Sequence, residues 1–131
     1  MKIGICYDRP EEYDNIDGPA DRFAEFEPES TIVAMESAVR LLGHEAVRLG
    51  GPFSLLKSRP DVDLIWNIAE GYGSRNREAW VPGLCEMYGI PYLGSDGFTL
   101  SLSLDKVATK QLARRIGVPT PDWAIYPSEA L

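Results

Sequence analysis

The sequence has 131 residues, of which 44% are hydrophobic and 25% charged, values that fit one folded domain and exclude a disordered or fibrous chain. Its 20 acidic residues outnumber its 13 basic residues and give a formal net charge of −7, so we expect no nucleic-acid partner. The first residues lack the pattern of a secretory signal, and no stretch has the ~18–20 apolar residues that span a bilayer, so we expect a cytoplasmic protein with no membrane partner.

The first half of the sequence alternates between strand and helix patterns. Residues 2–7 form a compact apolar run of strand length, and the segments 44–49 and 63–68 have the same character. The segment 28–43, between the first two strands, carries an apolar stripe with helical spacing. The residues of this stripe are Ile32, Met35, Val39 and Leu42.

The same alternation continues to residue 94. A weak helix pattern near 53–58 precedes the third strand, a helix of roughly 76–88 follows it, and the segment 90–94 is a further strand. Strands that alternate with helices predict an α/β fold, with a parallel sheet covered on both faces. The buried positions of Cys6 and Cys85 in this pattern predict two reduced core residues.

Charged and glycine-rich segments follow three of the predicted strands, at 8–27, 67–76 and 94–98. Because the carboxyl ends of parallel strands meet at one edge, where ligands bind, we expect these segments to converge there. Asn67 and Glu70 follow directly on a strongly apolar strand and are therefore candidate ligand-binding residues. The alternative for Glu70 is an ordinary solvated loop residue.

The acidic segment 8–27 has too little apolar material to pack by itself, which predicts a long loop. Such loops are functional lids or disordered inserts, and the sequence leaves both open. Neither a glycine-rich dinucleotide motif nor a P-loop motif is present, and the single histidine, His44, cannot form a Ser-His-Asp triad or a zinc site. We therefore predict no catalytic residue and no metal ligand in this chain.

The segment "GIPYLGSDGFTLSLSLDKVATKQLARRIGVPTPDW", residues 89–123, carries the most specific pattern. It resembles the corresponding segment of D-alanine–D-alanine ligases and their ATP-grasp relatives. The ligases carry a histidine- and glycine-rich H-G-x-x-G-E-D loop before this segment. This sequence lacks that loop, so the identity of the two substrates stays open. The matching residues are Gly89, Pro91, Tyr92, Gly94, Ser95, Asp105, Lys106, Lys110, Gly117, Pro119 and Pro121.

The resemblance implies a Rossmann-like, three-layer pre-ATP-grasp domain with a mainly parallel sheet over residues 1–104. Residues 105–131 would then be a linking helix and the truncated start of the ATP-grasp domain. The chain would be an inactive fragment of an ATP-dependent ligase that forms C–N bonds through an acyl phosphate. ATP and Mg²⁺ would serve the full-length enzyme, and no cofactor would bind this fragment tightly.

The resemblance also implies roles for single residues, with an amino acid or small peptide as the substrate. Glu27 or Glu29, near the start of the first helix, would bind the ammonium group of the first substrate, and Glu70 would offer a second carboxylate. Gly94 and Ser95 form a turn whose backbone would approach the ligand, although a simple turn at a strand end explains them as well.

Lys106 resembles the lysine of the family's D-K pair, which implies that it approaches the ATP phosphates. The alternative is a solvated helix face, because Lys110 and Arg114 follow at four-residue spacing and are predicted to lie on the surface. A non-catalytic α/β module that binds a small ligand or a partner is the alternative function, and a homodimer is left open. The predicted buried stripe of this helix is Leu104, Ala108, Leu112 and Ile116.

Overall fold

The structure, a computed structural model, describes residues 1–13 and 17–125. Its strands are β1 (Lys2–Cys6), β2 (Glu45–Gly50), β3 (Leu64–Asn67) and β4 (Tyr92–Leu93). Its α-helices are α1 (Glu29–Leu41), α2 (Pro52–Lys57), α3 (Trp80–Tyr88), α4 (Gly97–Leu104) and α5 (Lys106–Arg115), and short 3-10 helices cover Pro10–Tyr13 and Arg77–Ala79. None of these described helices is long and apolar enough to cross a membrane.

The strands form one sheet in the order β2–β1–β3–β4, and every pairing is parallel. The predicted α/β fold with a parallel sheet is therefore confirmed. The chain passes from β1 to β2 on one side of the sheet and then to β3 on the other side, so the strand order reverses between β1 and β3. This reversal creates a switch point at the carboxyl ends of the two strands, where open parallel sheets bind ligands.

Helices cover both faces of the sheet and give the three layers that the resemblance implies. On one face Ile32 of α1 packs with Ile5 of β1 in a buried cluster. On the other face Leu55 of α2 and Cys85 of α3 share a second buried cluster with Cys6. Both cysteines are free, buried core residues, as predicted.

The sequence pattern did not reveal α4. Its apolar residues Phe98, Leu100, Leu102 and Leu104 lie two positions apart, which is the spacing of a strand rather than of a helix. The helix begins because the Asp96 carboxylate accepts the N–H of Thr99 at 2.7 Å and caps the first turn.

The predicted buried stripe of α5 is wrong, because Leu104 ends α4 and both Leu104 and Ala108 are only half-buried. Leu112 and Ile116 are 43% and 67% exposed. Within the described residues α5 packs mainly against α4, which covers only the first part of the stripe.

Candidate functional site

The described part of the segment 8–27 packs against the carboxyl edge of the sheet. Tyr13 is fully buried, and its ring lies 5.3 Å from that of Phe26 and 5.4 Å from that of Phe53 on α2. Phe23 extends this aromatic cluster to Tyr72 in the loop after β3. The segment therefore does not pack by itself, and its aromatic residues find partners on other elements.

The buried side chain of Asp8 joins the loop after β1 to the loop after β3. Its Oδ1 accepts the hydroxyl of Tyr13 at 2.5 Å, and its Oδ2 accepts the N–H groups of Glu70 at 2.6 Å and Gly71 at 3.0 Å. A buried carboxylate is tolerated when hydrogen bonds replace its hydration, and these bonds do so here. No sequence pattern distinguishes Asp8, whose only signal is its position two residues after the end of β1.

A cleft of about 120 Å³ opens next to this junction, between the loops after β3 and β4. It brings together four of the six residues predicted to bind substrate, namely Asn67, Glu70, Gly94 and Ser95. The remaining lining residues are Ile68, Ala69, Glu78 and Leu100.

The carboxylates of Glu70 and Glu78 both line this cleft, and that of Glu70 is half-buried. Burial, the charge and hydrogen bond of Glu78, and the charge of Glu25 raise the pKa of Glu70, while the charge of Arg77 opposes the shift. Arg77 itself pairs with Glu25 at 3.1 Å. Two carboxylates held this close favour a bound cation or a shared proton, so the cleft can accept an ammonium group.

Asn67 shapes the turn that leads from β3 to Glu70. Its side-chain Oδ1 accepts the N–H of Ala69 at 3.1 Å, the short-range bond that asparagine makes in turns. The end of β3 therefore directs the chain towards the cleft.

The other three predicted site residues do not line the cleft. Glu27 is exposed ahead of α1. Glu29, at the start of α1, pairs with Arg48 of β2 at 2.7 Å. Lys106 is exposed at the start of α5, and its Nζ donates to the carbonyl of Ser103 at 2.8 Å. Their roles towards substrate and ATP stay predictions.

The ammonium group of Lys110, a residue predicted to lie on the surface, binds the segment that follows α5. The residue is half-buried, and its Nζ donates to Thr120 Oγ1 at 3.1 Å and to the carbonyl of Pro121 at 3.2 Å. The guanidinium of Arg114 lies 4.4 Å from the ring centroid of Trp123. Both cations therefore hold the segment 117–125 against α5.

In residues 1–13 and 17–125, no group of three or more histidine, cysteine or acidic side chains is arranged to hold a metal ion. The described residues therefore do not fit a Mg²⁺ site. Lys106 is the predicted contact for a nucleotide in this part of the chain.

The fold and the cleft together define a Rossmann-like α/β domain with a polar candidate ligand site at the carboxyl ends of β3 and β4, next to the switch point of its sheet. A comparison with models of known protein families gives no match. The D-alanine–D-alanine ligase of Aquifex aeolicus is 37% identical over 100 residues, which cover 73% of this chain and 33% of that protein. The ligase of Xylella fastidiosa is 34% identical over 88 residues, which cover 66% of this chain and 29% of that protein.

Solved structures show the same similarity in the fold. The D-alanine–D-alanine ligase of Bacillus anthracis superposes with a TM-score of 0.66 at 24% identity, and the match covers all of this chain and 40% of that one. The chain thus spans about a third of the length of the curated ligases it matches. The chain is D-alanine–D-alanine ligase-like in sequence and fold, consistent with an N-terminal part of such a ligase, as its motifs predicted.

Proposed function

We propose that this chain is the N-terminal, substrate-binding domain of an ATP-dependent carboxylate–amine ligase that works in the cytoplasm. The observation that carries the proposal is the cleft that gathers Asn67, Glu70, Gly94 and Ser95 at the carboxyl ends of β3 and β4. The similarity to D-alanine–D-alanine ligases, 37% identical in one case, supports the reaction class.

The substrate of the cleft would be an amino acid or a small peptide, bound by its ammonium group. Glu70 and Glu78 supply negative charge in a half-buried place, where a charge pair is stronger than in bulk water. Because burial and the charge of Glu78 raise the pKa of Glu70, ammonium binding should strengthen as the pH rises and Glu70 loses its proton. Glu27 and Glu29 would contribute only if the substrate extends beyond the cleft towards α1.

ATP, when bound to the full-length enzyme, would phosphorylate a substrate carboxylate and so prepare it for attack by the amine of the second substrate. Lys106 would approach the phosphates as a flexible point charge. In this proposal the ligands of Mg²⁺ come from outside the described residues. Residues 1–104 would form the substrate domain and 105–131 the link to the ATP-binding part, with residues 126–131 outside the described structure.

The proposal is tested by the release of inorganic phosphate from ATP and Mg²⁺ by the full-length protein. Amino acids and dipeptides, D-alanine among them, are screened as substrates. We expect phosphate release that depends on a specific amino substrate. A protein that binds such a compound but releases no phosphate with any of them would be the non-catalytic binding module instead.

A further inference from the structure

We infer that Asp8 is a positioning residue, which holds the Glu70 carboxylate in the cleft by fixing the backbone of the loop after β3. The inference rests on the proposed function, because it gives Asp8 a part in binding the amino substrate. Asp8 does not line the cleft itself and acts through the peptide groups that carry Glu70.

The geometry of the two backbone bonds supports this role. One oxygen, Oδ2 of Asp8, accepts two successive N–H groups, those of Glu70 at 2.6 Å and Gly71 at 3.0 Å. Two consecutive peptide groups aimed at one fixed oxygen leave little freedom to the residue between them. The direction in which the Glu70 side chain leaves the backbone is therefore set by Asp8.

The next turn of the loop is equally tight. Gly71 has φ +68°, and a Cβ placed there would lie 2.9 Å from Cβ of Arg77 and 3.0 Å from its carbonyl oxygen. Only glycine meets both conditions without strain. A larger residue at position 71 would strain the loop, and we expect the strain to shift the N–H groups away from the Asp8 carboxylate.

The other oxygen of Asp8 is held from the opposite side. Tyr13 donates its hydroxyl to Oδ1 at 2.5 Å, and its ring is fully buried in the aromatic cluster. Burial and the hydrogen bond to Asp8 raise the pKa of Tyr13, so its hydroxyl stays protonated and remains a donor. Asp8 is only 5% exposed and cannot follow the loop if the loop moves.

The test is a double-mutant cycle in the full-length protein, with D-alanine and ATP as the varied substrates. We expect Asp8→Asn to raise the KM for D-alanine roughly tenfold. A neutral amide has only one accepting oxygen and therefore cannot accept hydrogen bonds from the Tyr13 hydroxyl and from both N–H groups as the carboxylate does. The KM for ATP should change less than about twofold. Because Asp8 acts through Glu70, the variant Asp8→Asn/Glu70→Gln should have the same KM for D-alanine as Glu70→Gln alone.

A matched control is Tyr13→Phe, which removes the hydroxyl on Oδ1 and leaves both backbone bonds. We expect this variant to unfold at a lower temperature and to keep its KM for D-alanine within about threefold. If Asp8→Asn behaves in the same way, Asp8 has a purely structural role and the inference is overturned. The inference is also overturned if the fold-changes in the KM for D-alanine caused by Asp8→Asn and by Glu70→Gln multiply in the double variant.

Should Asp8→Asn fail to fold, Gly71→Ala displaces the same N–H groups from the other side of the bonds. A raised KM for D-alanine with an unchanged KM for ATP supports the inference, and an unchanged KM for both substrates overturns it. The proposed substrate site fails separately, when Glu70→Gln leaves the KM for D-alanine as it was. The proposed ligase reaction fails when the full-length protein releases no phosphate with any amino substrate.

Discussion

Glu12 caps α2 from outside the helix, because its Oε1 accepts the N–H of Gly51 at 2.9 Å. The second oxygen, Oε2, accepts the N–H of Ser54 at 3.1 Å. The residue at the start of α2 is Gly51, which has no side chain to make these bonds. Glu12 thus fixes the segment 8–27 to α2, in addition to the bonds of Asp8 with the loop after β3.

This cap makes the stability of the chain depend on pH. Burial alone would raise the pKa of Glu12, but the hydrogen bonds from Gly51, Ser54 and Arg9 together lower it. A carboxyl group with a lowered pKa stabilises the fold above its unfolded pKa, and that stabilisation is lost as the pH falls through the folded pKa. We therefore expect the free energy of unfolding in urea to decrease below about pH 4.5, the ordinary value for Glu12.

Glu12→Gln should lower the free energy of unfolding near neutral pH by about 1 kcal/mol, the typical effect of losing a helix cap. The difference from the parent should shrink in acid, where the parent has lost the same charge. Glu11→Gln, at the exposed neighbouring position, is the control and should match the parent at every pH. A constant difference across the whole pH range would contradict this account of the cap.

The pKa of Glu70 shifts in the opposite direction to that of Glu12. Burial, followed by the charge and hydrogen bond of Glu78, raises the pKa of Glu70, so its contribution to stability is present at low pH and is lost as the pH rises through the folded pKa. Glu70→Gln should therefore leave the melting temperature near neutral pH unchanged or slightly higher. A marked loss of stability there would mean that the charge of Glu70 supports the fold.

Lys106→Met tests the predicted contact with ATP. The substitution keeps the apolar stem and removes the ammonium group, and loss of a charge-assisted bond typically costs ~1.5–3 kcal/mol. We expect the full-length protein to bind or turn over ATP roughly ten- to a hundred-fold less well. Lys57→Met, an exposed lysine on α2, is the matched control. Equal kinetics for the two variants would assign Lys106 to the capping of α4 through Ser103.

Lys110→Met should loosen the segment 117–125 from α5. The ammonium group holds Thr120 and the carbonyl of Pro121, and it lies 5.5 Å from the ring centroid of Trp123. We expect the indole N–H signal of Trp123 in NMR spectra to move towards its solvent-exposed position, whereas Lys57→Met should leave it unchanged. An unaltered signal in Lys110→Met would show that Arg114 alone holds the ring.

Local patterns predicted the strands and α1 because a buried strand or an amphipathic helix leaves its period in the sequence. The alternating residues of α4, among them Phe98 and Leu100, imitate a strand, so only the cap at Asp96 indicated a helix. Tyr13 was missed because its burial depends on tertiary packing, for example against Phe53 of α2, which leaves no periodic pattern in the segment 8–27. Asp8 was missed for a related reason, since it binds backbone N–H groups 62 and 63 residues away.

The cleft was predictable to the extent that it follows a rule of topology. Asn67 ends β3 and Glu70 follows it, while Gly94 and Ser95 follow β4. The carboxyl ends of parallel strands lie on one edge of the sheet, so these residues come together. Glu78 was not predicted as a cleft residue, because its approach to Glu70 depends on how the loop after β3 turns back. That turn depends on Asp8, whose contacts no local pattern contains.

The most direct test of the account is the calorimetric affinity of the full-length protein for its amino substrate, with D-alanine as the first probe. Glu70→Gln is compared with Glu45→Gln, which removes an exposed carboxylate at the amino end of β2, on the opposite edge of the sheet. We predict that Glu70→Gln weakens binding roughly ten- to a hundred-fold while Glu45→Gln binds like the parent. Equal affinities for the two variants and the parent would contradict an amino-substrate site in this cleft.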